Sequence, residues 1–246
     1  MVYSGLLPAT KYLLTSSEGQ FRNADRTRPG VAITPLQLGV GLLIGALIGT
    51  SSARRTSRTL RATGSLASTP RTALVLVGIA VGVALVESFD VSFQFFAFAG
   101  LASMGLEHIV VDRATHRLAR ATTMRAGFFG FVLLSADAIA DARPGRMGVM
   151  LLSTALVAIA LAGLSAIARS GLGRGDVRLA SVLALHLSSL GAIVAVRGIV
   201  LAFLVGGVVA LVLLVTRRAT RSSTFAFGPY LVVCSFVVVF APSLGR

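Results

Sequence analysis

Long apolar runs separated by short arginine-rich segments constrain this chain more than any other feature of its sequence. Hydrophobic residues make up 55% of its 246 residues and charged residues only 13%, and the mean hydropathy is +0.86. A soluble domain of this size cannot bury so much apolar surface in one core. The runs approach the roughly 20 residues that an α-helix needs to cross a bilayer. The sequence therefore predicts an all-α fold, a polytopic membrane helix bundle in a lipid bilayer.

The apolar runs indicate about eight transmembrane helices. The first 35 residues are mostly polar and predict a disordered tail, residues 36–246 form the transmembrane domain, and residues 51–71 are expected to be a short basic cytoplasmic loop. Glycines recur inside the runs, as at Gly39, Gly41, Gly45 and Gly49, and small residues let transmembrane helices pack closely. The predicted spans are Leu36–Ala53, Thr72–Val86, Val91–Val111, Ala126–Ala140, Met147–Ala168, Val177–Val196, Gly198–Thr216 and Ala226–Ala241.

Arginines are distributed unevenly between the two sets of loops that join the predicted spans. The net charge is +14, and Lys11 is the only lysine. Cytoplasmic loops are enriched in basic residues, so the arginine-rich set is predicted to face the cytoplasm. Placement between apolar runs favours lipid headgroups as the anionic partner, and we expect no nucleic-acid partner. This set contains Arg54, Arg55, Arg58, Arg61, Arg71, Arg113, Arg117, Arg120, Arg125, Arg169, Arg174, Arg178, Arg217, Arg218 and Arg221, and the other set contains Arg143, Arg146, Arg197 and Arg246.

Three of the nine acidic residues fall near the predicted cytoplasmic face, namely Glu107, Asp112 and Asp176. Ionisable groups at membrane depth are costly and commonly mark functional sites. Asp112 ends the third predicted span and Asp176 opens the sixth, so an up-and-down topology returns both to one depth. If the two carboxyl groups meet, they share a proton, and one can activate a water while the other polarises a carbonyl. The alternative is that each aspartate pairs with a neighbouring arginine such as Arg113 or Arg178.

The glycines at 171, 173 and 175 precede Asp176 and predict a pliable backbone that leaves the carboxylate open to a substrate strand. On the other side of the membrane, Asp137 and Asp141 lie beside Arg143 and Arg146, which predicts either local ion pairs or solvated carboxylates.

Other residues capable of chemistry are few. Cys234 is the only cysteine and lies in an apolar run, where its expected role is packing. The three histidines are His108, His116 and His186, and His186 is expected to form an interhelical hydrogen bond. So few histidines and cysteines indicate no metal site, and we expect no cofactor. No Gly-x-Ser-x-Gly motif points to a serine hydrolase.

Three short motifs resemble those of the type IV prepilin peptidases, a family of intramembrane aspartic proteases with a GxGD signature. Residues 173–176 (Gly-Arg-Gly-Asp) match that signature, and residues 177–179 (Val-Arg-Leu) resemble its usual Val-Lys-Leu extension. Residues 112–118 (Asp-Arg-Ala-Thr-His-Arg-Leu) resemble the segment around the first aspartate of the family. Residues 227–229 (Phe-Gly-Pro) resemble a motif late in these enzymes.

The resemblance implies that Asp112 and Asp176 are a catalytic pair. They would cut the leader peptide of prepilin-like precursors, pilins or pseudopilins, at the cytoplasmic face of the bacterial cell membrane. The supporting residues that it implies are Gly173, Gly175, Arg178, Phe227, Gly228 and Pro229.

The chain departs from the family in three places. Ala119 and Arg120 replace the Pro and the following Asn or Asp after the first motif. The cysteine pairs of bifunctional members are absent and the loop at 51–71 is short, so N-methyltransferase activity is not expected. The alternative from another class is a non-catalytic membrane protein, a transporter or pilus-assembly scaffold, that uses the inner acids for ion coupling or packing. Neither reading indicates an oligomeric state.

Overall fold

The structure is a computed structural model that describes residues 34–64, 70–115, 119–167, 173–217 and 226–241. In those ranges the chain forms eight α-helices and no strand, so the all-α helix bundle expected from the sequence is confirmed. The predicted tail at 1–35 lies outside the described residues apart from its last two. The helices are α1 (Pro35–Ala62), α2 (Arg71–Ser88), α3 (Phe93–Thr115), α4 (Arg120–Ala140), α5 (Gly145–Ile167), α6 (Arg174–Ser188), α7 (Ala192–Val215) and α8 (Gly228–Phe240).

Six of these helices, α1 to α5 and α7, are long and apolar enough to cross a membrane. α6 has 15 residues and α8 has 13, both below the roughly 20 that a span requires. The sequence predicts eight membrane-spanning helices, and six of the helices in the described residues are long and apolar enough to be spans. α5 buries only Met150 and Leu161 and exposes Leu152 and Ile159 to 61% and 70%, an apolar outer face that suits lipid rather than water.

α1 and α2 pack antiparallel through facing glycines. A Cβ added to Gly45 would lie 2.6 Å from the Ile79 Cα, and one added to Gly78 would lie 2.6 Å from the Gly45 carbonyl oxygen. Because backbone occupies this space, no side chain beyond hydrogen fits there. The predicted packing role is confirmed at Gly45, and also at Gly41 and Gly49, whereas Gly39 faces open space.

The predicted basic loop at 51–71 is wrong over its first half, because α1 continues through Ala62. Two of the polar residues of this segment find partners inside the bundle. Ser52 donates its hydroxyl to the Ser103 carbonyl of α3 at 2.8 Å, and Arg55 forms an ion pair with Glu107 of the same helix. These partners let a polar, arginine-containing stretch remain helical against α3.

The boundary between the sixth and seventh predicted spans is also wrong. The sequence places it near Arg197, but α6 ends at Ser188 and α7 begins at Ala192, so Arg197 lies inside α7. The turn occurs at Gly191, whose φ of 148° is in the region that L side chains rarely adopt. The apolar character of the chain does not change at this turn, which is why hydropathy alone misplaces it.

Candidate functional site

Asp112 lies in the last turn of α3, where it is 5% exposed. Its Oδ2 accepts a hydrogen bond from the backbone N–H of Gly228 at 3.2 Å. Gly228 is the first residue of α8, so its N–H has no partner within that helix and is free to bond outside it. Pro229 follows at a first-turn position, where its missing N–H costs nothing. The N-terminus of α8, which carries a partial positive charge, thus faces the Asp112 carboxylate.

Asp176 lies in the first turn of α6, and its Oδ2 accepts a hydrogen bond from the Gly173 N–H at 3.2 Å. Gly173 has φ −70° and ψ 148°, an extended conformation that any residue adopts. The conformation of Gly173 therefore does not require a glycine, and it gives no support to the predicted pliable backbone at this position. A Cβ at this position would lie 3.1 Å from the Asp176 Oδ2, so the missing side chain leaves room for the carboxylate.

The end of α3 and the start of α6 bring Asp112 and Asp176 close enough to interact electrostatically. Asp176 belongs to α6, which is not one of the six helices that are long and apolar enough to cross a membrane. Burial first, and then the Asp112 charge, raise the pKa of Asp176 from 3.8 to about 6, although the Gly173 hydrogen bond lowers it. Protonated Asp176 is thus substantially populated near pH 6.

The alternative of arginine pairing fails for Asp176. Within the described ranges neither Asp176 nor Arg178 forms an ion pair, although they are two residues apart on the half-buried start of α6. An arginine at 4 Å or less would favour the charged carboxylate and oppose the rise in its pKa. The environment of Asp176 is that of a carboxyl group beside another carboxyl group.

Glu107, the third acid of this region, has a different environment. It is 1% exposed and its Oε2 lies 3.0 Å from the Nε of Arg55 in α1. Thr59 of α1 and Thr122 of α4 donate their hydroxyls to its Oε1 at 3.3 and 3.4 Å. Arg55 also donates to the Ser103 hydroxyl. The charge and the lone pairs of Glu107 are therefore matched by residues of two other helices, α1 and α4.

The α1–α3 network around Glu107 was missed by sequence reasoning. Its signal is a spacing of four residues in two helices, in Ser51, Arg55 and Thr59 of α1 and in Ser103 and Glu107 of α3. Residues four apart lie on one helix face. The pattern is visible only if α1 is extended past Ala53, where the apolar run ends.

Phe227 is half-buried before α8, and its ring centroid lies 4.8 Å from that of Phe203 in α7. An added Cβ at Gly206 would lie 2.6 Å from the Phe227 ring, so the ring packs directly against the backbone of α7 just before α8 begins. Gly175 is half-buried in the first turn of α6. Two of the three motifs thus meet directly, since Gly228 of the third hydrogen-bonds Asp112 of the first.

Of the two histidines that the structure describes, neither forms a hydrogen bond with an aspartate. The Nε2 of His108 is 2.8 Å from the Thr123 hydroxyl of α4. His186 was expected to bond another helix, but its Nδ1 lies 2.8 Å from the Val182 carbonyl oxygen of its own helix, and its ring packs at Gly130. That expectation is wrong because the backbone of α4 approaches too closely for a side-chain partner there. His116 lies outside the described residues, and Cys234 is buried in α8 as expected.

The opposite end of the bundle carries the ion pairs predicted for it. The Nη1 of Arg146 lies 3.6 Å from Asp137 and 3.3 Å from Asp141, and its Nη2 donates to the Ser189 carbonyl at 2.7 Å. The Gln94 N–H donates to Asp137 Oδ1 at 3.2 Å. We call this set of five residues the Arg146 cluster, and we call Asp112 with Asp176 the aspartate pair.

Within the described ranges, no three His, Cys, Asp or Glu side chains gather where they could hold a metal ion. The comparisons with known proteins give no family: no protein-family model, no curated protein and no solved structure matches this chain.

Proposed function

We propose that this chain is an intramembrane aspartic endopeptidase and that Asp112 and Asp176 are its catalytic pair. The observation that carries the proposal is the juxtaposition of the two carboxyl groups at the end of α3 and the start of α6, where the charge of Asp112 acts on Asp176. A protein does not gain stability by placing two carboxylates together, and strongly perturbed acids cluster where chemistry is done.

The roles follow from the two environments. Asp176, whose pKa is raised to about 6, holds the shared proton and donates a hydrogen bond to the scissile carbonyl oxygen. Asp112 accepts a proton from a water between the two groups, and the water oxygen attacks the carbonyl carbon. The proton then passes to the leaving nitrogen as the peptide bond breaks. The Gly228 N–H keeps Asp112 oriented while it is charged.

The substrate class in this proposal comes from the resemblance to the prepilin peptidases. The substrate is a prepilin-like precursor, whose leader is cut at the cytoplasmic face of the bacterial cell membrane. The excess of arginine at the α1, α3 and α7 C-termini and the α4 and α6 N-termini supports this orientation. The proposal includes no N-methyltransferase step, because the chain lacks the cysteine pairs of the bifunctional members.

One observation favours the non-catalytic alternative for part of this region. Glu107 is neutralised by Arg55 and bonded by two threonines, which is the structural use of an acid that a scaffold or transporter reading requires. The two readings therefore separate by residue. If the chain is a peptidase, Asp112 and Asp176 are needed for cleavage and Glu107 is not. If the chain is a scaffold or transporter, all three acids have the same kind of role.

The test is cleavage of a prepilin-like precursor co-expressed with this chain. We expect mature product with the native chain and uncut precursor with Asp112→Asn or Asp176→Asn at equal membrane abundance. Asp90→Asn is the matched control, since Asp90 is an exposed carboxylate in the turn between α2 and α3. Glu107→Gln is expected to lower the abundance of the protein but to leave cleavage by the remaining molecules intact.

Continued cleavage by both aspartate variants would exclude the pair as the catalytic centre. Loss of cleavage in Glu107→Gln at normal abundance, together with activity in Asp176→Asn, would favour the alternative reading.

A further inference from the structure

A groove of about 450 Å³ opens between α1 and α3, apart from the aspartate pair. Its walls have two halves. Ile44 and Leu47 line the apolar half, and Leu47 is 54% exposed although it lies in a helix long and apolar enough to cross a membrane. Ser51, Arg54 and Arg58 line the polar half, where the apolar part of α1 ends. The groove is thus amphipathic along the axis of the helix.

The polar half carries unmatched positive charge. Arg54 and Arg58 are exposed and lie one helical turn apart on the same face of α1. In the described part of the chain, neither forms an ion pair, whereas Arg55 beside them is paired with Glu107. The groove therefore offers two guanidinium groups without a carboxylate, next to the hydroxyl of Ser51.

These features fit a ligand with one anionic oxygen-rich group and an apolar tail. Guanidinium groups bind phosphate oxygens through paired hydrogen bonds, and basic pockets at the ends of membrane helices bind anionic headgroups. The arginines follow directly after the apolar segment of α1, at the depth where the phosphates of a bilayer lie. Acyl chains beside Ile44 and Leu47 would cover apolar surface that the bundle leaves open.

We propose that the α1–α3 groove binds one anionic phospholipid, with its phosphodiester held by Arg54 and Arg58 and its acyl chains along Ile44 and Leu47. This inference does not depend on the peptidase activity, because none of these residues belongs to the aspartate pair or its hydrogen bonds. The groove is a lipid-binding site built into the bundle, in contrast to the general attraction between basic loops and an anionic membrane surface.

The test is native mass spectrometry of the full chain released from detergent, titrated with phosphatidylglycerol or with phosphatidylcholine of the same acyl chains. We expect the native chain to retain one phosphatidylglycerol molecule. Arg54→Gln with Arg58→Gln should weaken that binding about 25-fold, since each cation near a membrane surface contributes a factor of about five. The matched control, Arg61→Gln with Arg71→Gln, removes the same charge from exposed positions outside the groove and should change binding less than twofold.

A second variant separates charge from folding. Arg54→Lys with Arg58→Lys keeps the charge and should bind phosphatidylglycerol more tightly than the glutamine pair, at an equal fraction of monodisperse helical protein. Equal loss in the groove and control variants would overturn the proposal, since it would indicate general surface charge. No loss in the glutamine pair would also overturn it. Displacement of the lipid by glycerol phosphate at similar concentrations would identify a soluble phosphate ester as the ligand and exclude the lipid.

Discussion

The aspartate pair and the Arg146 cluster lie at opposite ends of the bundle and treat their carboxylates in opposite ways. In the Arg146 cluster, one guanidinium lies between Asp137 and Asp141 and also bonds the carbonyl at the end of α6. In the aspartate pair, Asp112 faces the N-terminus of α8, and burial together with the Asp112 charge raises the pKa of Asp176 to about 6. The first arrangement stabilises helix ends. The second leaves Asp176 with a raised pKa, and acids with perturbed pKa values are typical of catalytic sites.

The largest expected effect concerns whether the aspartate pair acts as one unit. Asp112→Asn and Asp176→Asn should each lower the cleavage rate of a purified precursor about 1,000-fold or more. The double variant should be no slower than either single one, because both groups serve the same proton transfer. The rates are measured in detergent with equal amounts of folded enzyme. Independent, multiplying losses would show that the two carboxyl groups act separately.

At the other end, Arg146→Gln should destabilise the fold by about 2 kcal/mol, since Asp137 and Asp141 then lose their shared cation in a partly exposed site. Adding Asp137→Asn should restore about half of that loss, because it removes one of the two remaining charges. Thermal unfolding in detergent measures both. The cleavage rate of each folded molecule should stay unchanged. A loss of cleavage as large as that of Asp176→Asn would show that the Arg146 cluster is not purely structural.

The pH dependence of stability tests the environment of Asp176 without any substrate. Its folded-state pKa of about 6 lies above the ordinary 3.8, so the fold prefers the protonated form. That contribution is fully present below pH 3.8 and is lost as the pH rises through about 6. The native chain should therefore lose about 2 kcal/mol relative to Asp176→Asn between pH 4 and 7, a value reduced for partial exposure.

Unfolding temperatures of the two proteins across this pH range provide the measurement, and Asp90→Asn should follow the native chain throughout. A constant difference between the native chain and Asp176→Asn over the range would mean that Asp176 is ionised at all these pH values, and the aspartate pair would then resemble ordinary surface acids.

The smallest effect is expected at the glycine beside Asp176. Gly173→Ala adds a Cβ that would lie 3.1 Å from the carboxylate oxygen, so that oxygen must move by a few tenths of an ångström. A displacement of that size should slow cleavage about threefold to tenfold while leaving stability nearly unchanged. Gly39→Ala is the matched control, since nothing lies within 4 Å of its added Cβ. Equal rates for both variants would show that the position of this carboxylate is not critical.

The helices and the site were predictable to different degrees. Hydropathy predicts a membrane helix bundle correctly because apolar side chains must face lipid or each other over a whole span. It misplaces the ends of α1 and α6, where the deciding contacts are Arg55 with Glu107 and the backbone of Gly191. In α1 the helix continues after the apolar run ends, and at Gly191 the helix ends although the apolar run continues, so a hydropathy profile misplaces both boundaries.

For the site, topology alone returned Asp112 and Asp176 to one depth, but it did not bring them together within the membrane plane. Their interaction depends on how α3 and α6 pack in the bundle, and the Gly228 hydrogen bond joins residues 116 positions apart in the chain. Such a contact carries no local signal, and the Phe-Gly-Pro segment indicates only a helix start.

The sequence by itself determined that this chain is a multi-pass helical membrane protein and that very few of its residues are able to do acid–base chemistry, because composition and periodicity are properties of the chain. Only the tertiary structure decided which partners those acids have. Glu107 and Asp112 lie little more than one helical turn apart on α3, yet one faces the Arg55 guanidinium of α1 and the other the first residue of α8. The physical reason is that the charge state of a carboxyl group depends on what surrounds it in space, and neighbours in space come from helix packing.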